Sequence, residues 1–189
     1  MDDRKLRSVP NHPLAIRILA ALLFGAATPA SKALLQALPT FQPAGLLYLG
    51  AAMGVVPLLI KEKKFSFPWH LDHKTAYRLL GAIGLGGVAG PLLLLFGLTL
   101  ASAASVSLWL NLELIATVTL GFLIFRDELH LAGWGATIGV LAAAILLSLS
   151  EGHAGIKAGL LVAAACLCWG LDNHFTALIT SITPAQTTF

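Results

Sequence analysis

The sequence predicts an all-α fold, a polytopic membrane bundle of six transmembrane helices. Three observations carry that prediction. Of its residues 57% are hydrophobic and only 11% charged, with a mean hydropathy of +0.84. Soluble domains carry roughly 25% charged residues, so a chain this apolar could not cover its own surface in water. Second, six apolar runs, at about 14–38, 43–60, 78–100, 102–125, 131–150 and 156–182, each approach the roughly 20 residues that cross a hydrocarbon core. Third, none of these runs alternates in polarity. Backbone in lipid must satisfy its own hydrogen bonds, which permits helices or closed barrels, and a barrel needs alternating strands.

Each run has its own marks. The first follows "RKLR" and contains Thr28-Pro29 and Lys32. A cleaved signal peptide would read similarly at its start. Thr28-Pro29 and Lys32 sit badly as a cleavage site, however, and the apolar run resumes to Leu38, so a retained helix is expected. The second run carries Gly50-x-x-x-Gly54, the third Gly86-x-x-x-Gly90 and the fifth Gly135-x-x-x-Gly139, spacings that let helices approach closely. Thr28-Pro29 and Gly90-Pro91 should kink their helices and free backbone carbonyls. Trp109 and Trp134 lie near helix ends and fit an interfacial aromatic belt. Asn111 is expected to hydrogen-bond between helices. Cys166 and Cys168 are one residue apart in the sixth run, so they point in different directions and read as packing residues rather than a disulfide or a metal site.

The formal net charge is +3, but its distribution points to lipid and away from nucleic acid. Arg4, Lys5, Arg7 and Arg17 flank the first run; Lys61, Lys63, Lys64, Lys74 and Arg78 lie between the second and third; Arg126 lies between the fourth and fifth. Lys157 alone falls in a loop on the opposite side. By the positive-inside rule the amino terminus is cytoplasmic. That makes the chain a multi-pass protein of a plasma membrane, such as a bacterial or archaeal inner membrane. The segment "KEKKFSFPWHLDHKTAY", 61–77, mixes cations with Phe65, Phe67 and Trp69 and is expected to rest on the cytoplasmic headgroups.

Four polar residues lie at membrane depth, where a charge costs at least ~2.5–3.5 kcal/mol on insertion scales. Lys32 lies in the outer half of the first helix. It could face a substrate cavity, pair with an anion, or snorkel outward. Glu113 sits near the centre of the fourth helix, where snorkelling is hard; it could pair with Lys32, carry a proton, or make an interhelical hydrogen bond. Asp172 and Asn173 lie past the middle of the sixth run and form either a cavity-facing polar patch or an interhelical cluster. His174 reads as a packed or cavity-wall residue. No glycine-rich phosphate loop, zinc-ligand spacing or Ser-His-Asp arrangement is present in the sequence, so neither a cofactor, a metal nor an enzymatic role is expected. The default is coupling to an ion gradient.

An internal repeat is also legible. Setting Gly170 on Gly25 brings Ala165 onto Ala20, Leu167 onto Leu22, Trp169 onto Phe24 and Pro184 onto Pro39. The offset spans five helices, an odd number, so the second copy would be inverted relative to the first, a recurring plan in secondary carriers. Residues 1–13 then form a cytoplasmic segment, 14–152 a five-helix repeat, and 153–189 the start of an inverted, incomplete second repeat.

With the stretches "LFGAATPASKALL", 23–35, "GLTLASAASVSLWLNLELIATVTLGFLIFRDELHLAGWGATIGVLAAAIL", 97–146, and "CLCWGLDNHFTALI", the chain resembles the drug/metabolite transporter superfamily, and within it the EamA-like members. The likeness lies in an aromatic-Gly pair followed by lysine, a Leu-x-Leu-Glu motif, and a Cys-Trp-x-Leu-Asp-Asn pattern. The resemblance implies a carrier of ten helices in two inverted five-helix repeats, moving small organic metabolites or xenobiotics. It further implies that this chain is a fragment, stopped just as a seventh helix was due. The other reading is a transport-incompetent truncated protein, or a subunit that needs a complementary membrane chain or a second copy of itself.

Overall fold

A computed structural model of the chain describes residues 11–61, 72–125, 130–183 and 186–187. The expected headgroup contact of Phe65, Phe67 and Trp69, the repeat's Pro184 and the turn at Arg126 lie outside the described residues. Six helices carry the described chain: α1 (Asn11–Leu34), α2 (Phe41–Lys61), α3 (His73–Leu100), α4 (Ala103–Ile124), α5 (Leu131–Ser150) and α6 (Gly152–Ala177). No strand occurs among the described residues. The helices α2 to α6 are each long and apolar enough to cross a bilayer, and α1, with 24 residues, spans about 36 Å at 1.5 Å per residue. The protein is a polytopic helical membrane bundle.

Local chemistry marks the ends. The Asp72 carboxylate accepts the Thr75 backbone N–H at the start of α3 (3.4 Å), the usual device for satisfying a free helix donor. Ser102 does the same for Ser105 at the start of α4 (3.0 Å). The turn from α5 to α6 passes through Gly152, whose φ of 71° is costly for any residue with a Cβ. Arg78 donates to the Leu178 carbonyl (2.9 Å), covering an acceptor that the end of α6 leaves free.

The core lies where α6 packs between α3 and α4. Leu95, Leu98, Val106, Trp109, Val162 and Cys166 are fully buried there. Small residues on α6 make this possible: Ala158, Gly159, Ala165 and Gly170 are buried, and a methyl on Gly170 would sit 3.2 Å from Ala116. The pairing is antiparallel, since Gly81 meets Phe175 at one end and Gly97 meets Val162 at the other. Lys32 of α1 reaches the last carbonyls of α3, so α1 and α3 run the same way. The successive helices alternate in direction, as chains that cross a bilayer repeatedly must.

Three expectations change. Trp109 is not in an interfacial belt: it is fully buried, and its Nε1 donates to the Ala144 carbonyl (3.2 Å). Its depth along the helix was legible, but its direction was not, and Gly159 opposite leaves the space its ring fills. Asn111 does not bridge helices. Its side-chain amide donates to Leu108 of its own helix (2.9 Å), because α4 is interrupted there. Of the three glycine pairs only Gly86/Gly90 meets a neighbouring helix; Gly50, Gly54, Gly135 and Gly139 have nothing within 4 Å among the described residues. Cys166 is a buried packing residue, as expected, with its sulfur 3.9 Å from the Trp109 and Leu110 carbonyls.

Candidate functional site

Two backbone irregularities frame the site, and both face α6. The first is in α3. Pro29 and Pro57 sit inside α1 and α2 without interrupting them, but ahead of Gly90-Pro91 the chain widens into a π-helical turn, Ile83–Ala89. There the Gly90 N–H donates to Leu85, five residues back. The next bond in that register would run from residue 91 to the Gly86 carbonyl, and Pro91 has no N–H to give. The free Gly86 oxygen instead accepts the Tyr48 hydroxyl from α2 (2.9 Å) and the Trp169 indole N–H from α6 (3.2 Å).

The second irregularity is in α4, which tightens where α3 widens. Between Leu108 and Leu114 the backbone switches to bonds three residues apart, with Asn111 donating to Leu108 (3.2 Å), Glu113 to Leu110 (3.0 Å) and Leu114 to Asn111 (3.2 Å). Glu113 emerges from this tight turn. Its Oε1 accepts from the Asn173 amide (3.4 Å), which also donates to the Thr117 hydroxyl (3.3 Å). Glu113 and Thr117 are four apart and so share a helix face. The His174 Nε2 lies 3.1 Å from the Thr117 carbonyl, so it donates there and carries the proton.

Asp172 and Asn173, neighbours in sequence, point about 100° apart on the helix and serve different partners. Asn173 faces α4. Asp172 faces α3, its carboxylate packed over Gly86 so closely that a methyl on that glycine would overlap it. No hydrogen bond reaches the Asp172 carboxylate among the described residues. The structure thus brings Glu113, Asp172 and Asn173 together midway along α3 and α4.

Lys32 is elsewhere. Its ammonium donates to the Leu98 and Ala101 carbonyls (2.6 and 3.0 Å) at the C-terminal end of α3, twelve residues or about 18 Å along the axis from Gly86. A cation there satisfies free carbonyls and the negative end of the helix dipole. No ion pair joins it to Glu113 within 4 Å among the described residues. At the same end Ser105 donates to the Glu151 carboxylate, tying α4 to the α5–α6 turn. Two open recesses, of about 510 and 200 Å³, flank Asn111 along α5 and α1; neither is lined by Glu113, Asp172 or Lys32.

Sequence reasoning missed Tyr48, Gly86, Trp169 and Thr117 as members of this cluster. Signals for two existed. A proline in a helix orphans a carbonyl four or five residues back, which points to Gly86, and Thr117 shares the face of Glu113. Nothing in the sequence points Tyr48 or Trp169 at that carbonyl.

Among curated proteins the chain is similar to an uncharacterized transporter of Methanothermobacter thermautotrophicus, 35% identical over 96 residues, which are 47% of this chain and 28% of that protein. The chain thus matches under a third of that relative's length. No solved structure matches it. The model of the EamA-like transporter family matches residues 13–149, most of the bundle with both backbone irregularities and Glu113, and the chain belongs to that family.

Proposed function

We propose that the protein belongs to a secondary carrier that moves small organic metabolites or xenobiotics across a plasma membrane, with its amino terminus cytoplasmic and no enzymatic activity. The observation that carries this reading is the coincidence of two broken helices with a polar cluster at mid-depth. In carriers, irregular backbone is tolerated in the membrane where it lines a substrate or ion site, and such sites lie near the midplane where inverted repeats meet. Here Glu113 of α4, in the first repeat, meets Asn173 of α6, which opens the second, and the neighbouring Asp172 turns to α3. In this reading Glu113 and Asp172 handle the substrate's charge or the coupling proton, and Asn173 holds Glu113 in place. Lys32 contributes by holding the outer end of α3.

The test is uptake into proteoliposomes from a panel of amino acids, nucleosides and organic amines. Glu113→Gln keeps the shape and the acceptor for Asn173 while removing the charge, so uptake should fall more than tenfold with the fold intact by circular dichroism. Uptake by Glu113→Gln equal to wild type would remove Glu113 from the mechanism.

A second reading is a subunit that transports only beside a complementary chain or a second copy. It is favoured by α5, which has no buried residue among those described and whose Gly135 and Gly139 have nothing within 4 Å among the described residues. Uptake that appears only on co-expression with a membrane chain completing the carrier would select it.

A further inference from the structure

We propose that α3 is a two-register helix, and that Tyr48 and Trp169 form the latch that selects the π register. The reasoning starts from Pro91. In the register present, Gly90 donates to Leu85, and the missing N–H of Pro91 leaves Gly86 without a backbone donor. In the ordinary α register, Gly90 would donate to Gly86, and the orphan acceptor would move one residue on, to Gly87. In each register Pro91 therefore leaves a carbonyl without its helical donor, Gly86 in one and Gly87 in the other.

The choice is made from outside the helix. Tyr48 and Trp169, from two different helices, both donate to Gly86, and its oxygen, with two lone pairs, cannot keep both bonds if Gly90 takes that acceptor back. The packing is built for the same register. Gly86 and Gly90 have no side chains where Asp172 and Trp169 press against them; a Cβ on Gly90 would stand 2.8 Å from the indole nitrogen. Conversion to the α register would remove one residue's worth of slack from the turn. That turns the inner part of α3, His73–Ala82, by roughly 100° against Gly90–Leu100, and withdraws Gly86 from beneath the Asp172 carboxylate. Tyr48 and Trp169 are positioning residues: they set the backbone on which Asp172 lies. The register choice stands on these hydrogen bonds and contacts. Its use as a moving part of a transport cycle rests on the carrier reading above.

A double-mutant cycle on the full chain in detergent tests the latch without requiring transport. Tyr48→Phe removes one donor and should lower Tm by about 2–4 °C, the size expected for one hydrogen bond in a chain of this length. Pro91→Ala restores an N–H that can reach Gly86, so in that background Tyr48→Phe should cost less than half as much. An equal cost in both backgrounds would overturn the latch. Trp169→Phe repeats the cycle with the second donor if Tyr48→Phe does not fold. A nitroxide at Tyr77→Cys, on the exposed inner part of α3, reads the register itself. Wild type should give one spectral population and Tyr48→Phe/Trp169→Phe a second with altered oxygen accessibility; one unchanged population in both would overturn the two-register helix. If the cycle shows coupling but no variant changes uptake, the latch stands and its part in transport falls.

Discussion

The Asp172 side chain lies directly over Gly86. A carboxylate lies on bare backbone because the residue beneath it has no side chain. Gly86→Ala should therefore either push Asp172 aside or open the α3–α6 contact, at a cost of about 1–3 kcal/mol, the usual range for overpacking. Gly50→Ala, at a glycine of the same spacing with nothing within 4 Å among the described residues, should be neutral or stabilising by up to about 1 kcal/mol, alanine's usual advantage inside a helix. Thermal unfolding of the two variants side by side makes the measurement. Equal losses would mean that the contact at Gly86 is not what constrains it. The polar residues of the cluster show how far one chemistry can be read in a chain. Glu113, Asp172 and Asn173 were legible as misfits in apolar runs, because burying such groups is costly. Tyr48 and Trp169 were not, because both are ordinary membrane residues until a neighbour presents a free carbonyl.

At the scale of elements, the helices were legible to within a few residues because hydrogen-bond satisfaction in hydrocarbon leaves little else. Their interruptions were only half legible. Gly90-Pro91 announced trouble in α3, yet a widened turn and a sharp kink both answer a missing N–H, and the partners of the freed carbonyl decide between them. The tight turn before Glu113 in α4 has no proline or glycine to announce it. The starts of helices follow simpler rules. At Asp72, hydrogen bonding from Thr75, its side chain first, holds the carboxyl below its ordinary value. A group whose folded value is depressed stabilises the fold above its unfolded value and loses that contribution as pH falls through the folded one. The first turn of α3 should accordingly fray below the ordinary carboxylate range, measured as a lower hydrogen-exchange protection factor at the Thr75 amide relative to its intrinsic rate at the same pH. The same acid sensitivity in Asp72→Asn, which still caps but cannot titrate, would assign the effect to another group.

For the whole molecule, the charge distribution predicts a topology. The cations before α1 and between α2 and α3 belong on the cytoplasmic side, and the antiparallel pairing of α3 with α6 then places the α5–α6 turn outside. Single cysteines at His70 and His153, probed in cells with a membrane-impermeant thiol reagent, should label from opposite sides. Labelling of both from one side would sink this orientation.

By itself the sequence determined the solvent and the class: a chain with 11% charged residues must place its apolar runs in lipid, lipid makes them helices, and their motifs mark the family. Only the tertiary structure decided which polar residues meet. Direction around a helix axis depends on what the neighbouring helix leaves open, and no single run carries that. Asp172 and Asn173 part company because α3 offers a bare glycine and α4 offers Glu113 and Thr117. Lys32 goes to the end of α3 because that helix's last carbonyls have no amides to receive. Tyr48 and Trp169 join the site because Pro91, on a third helix, withholds one hydrogen bond.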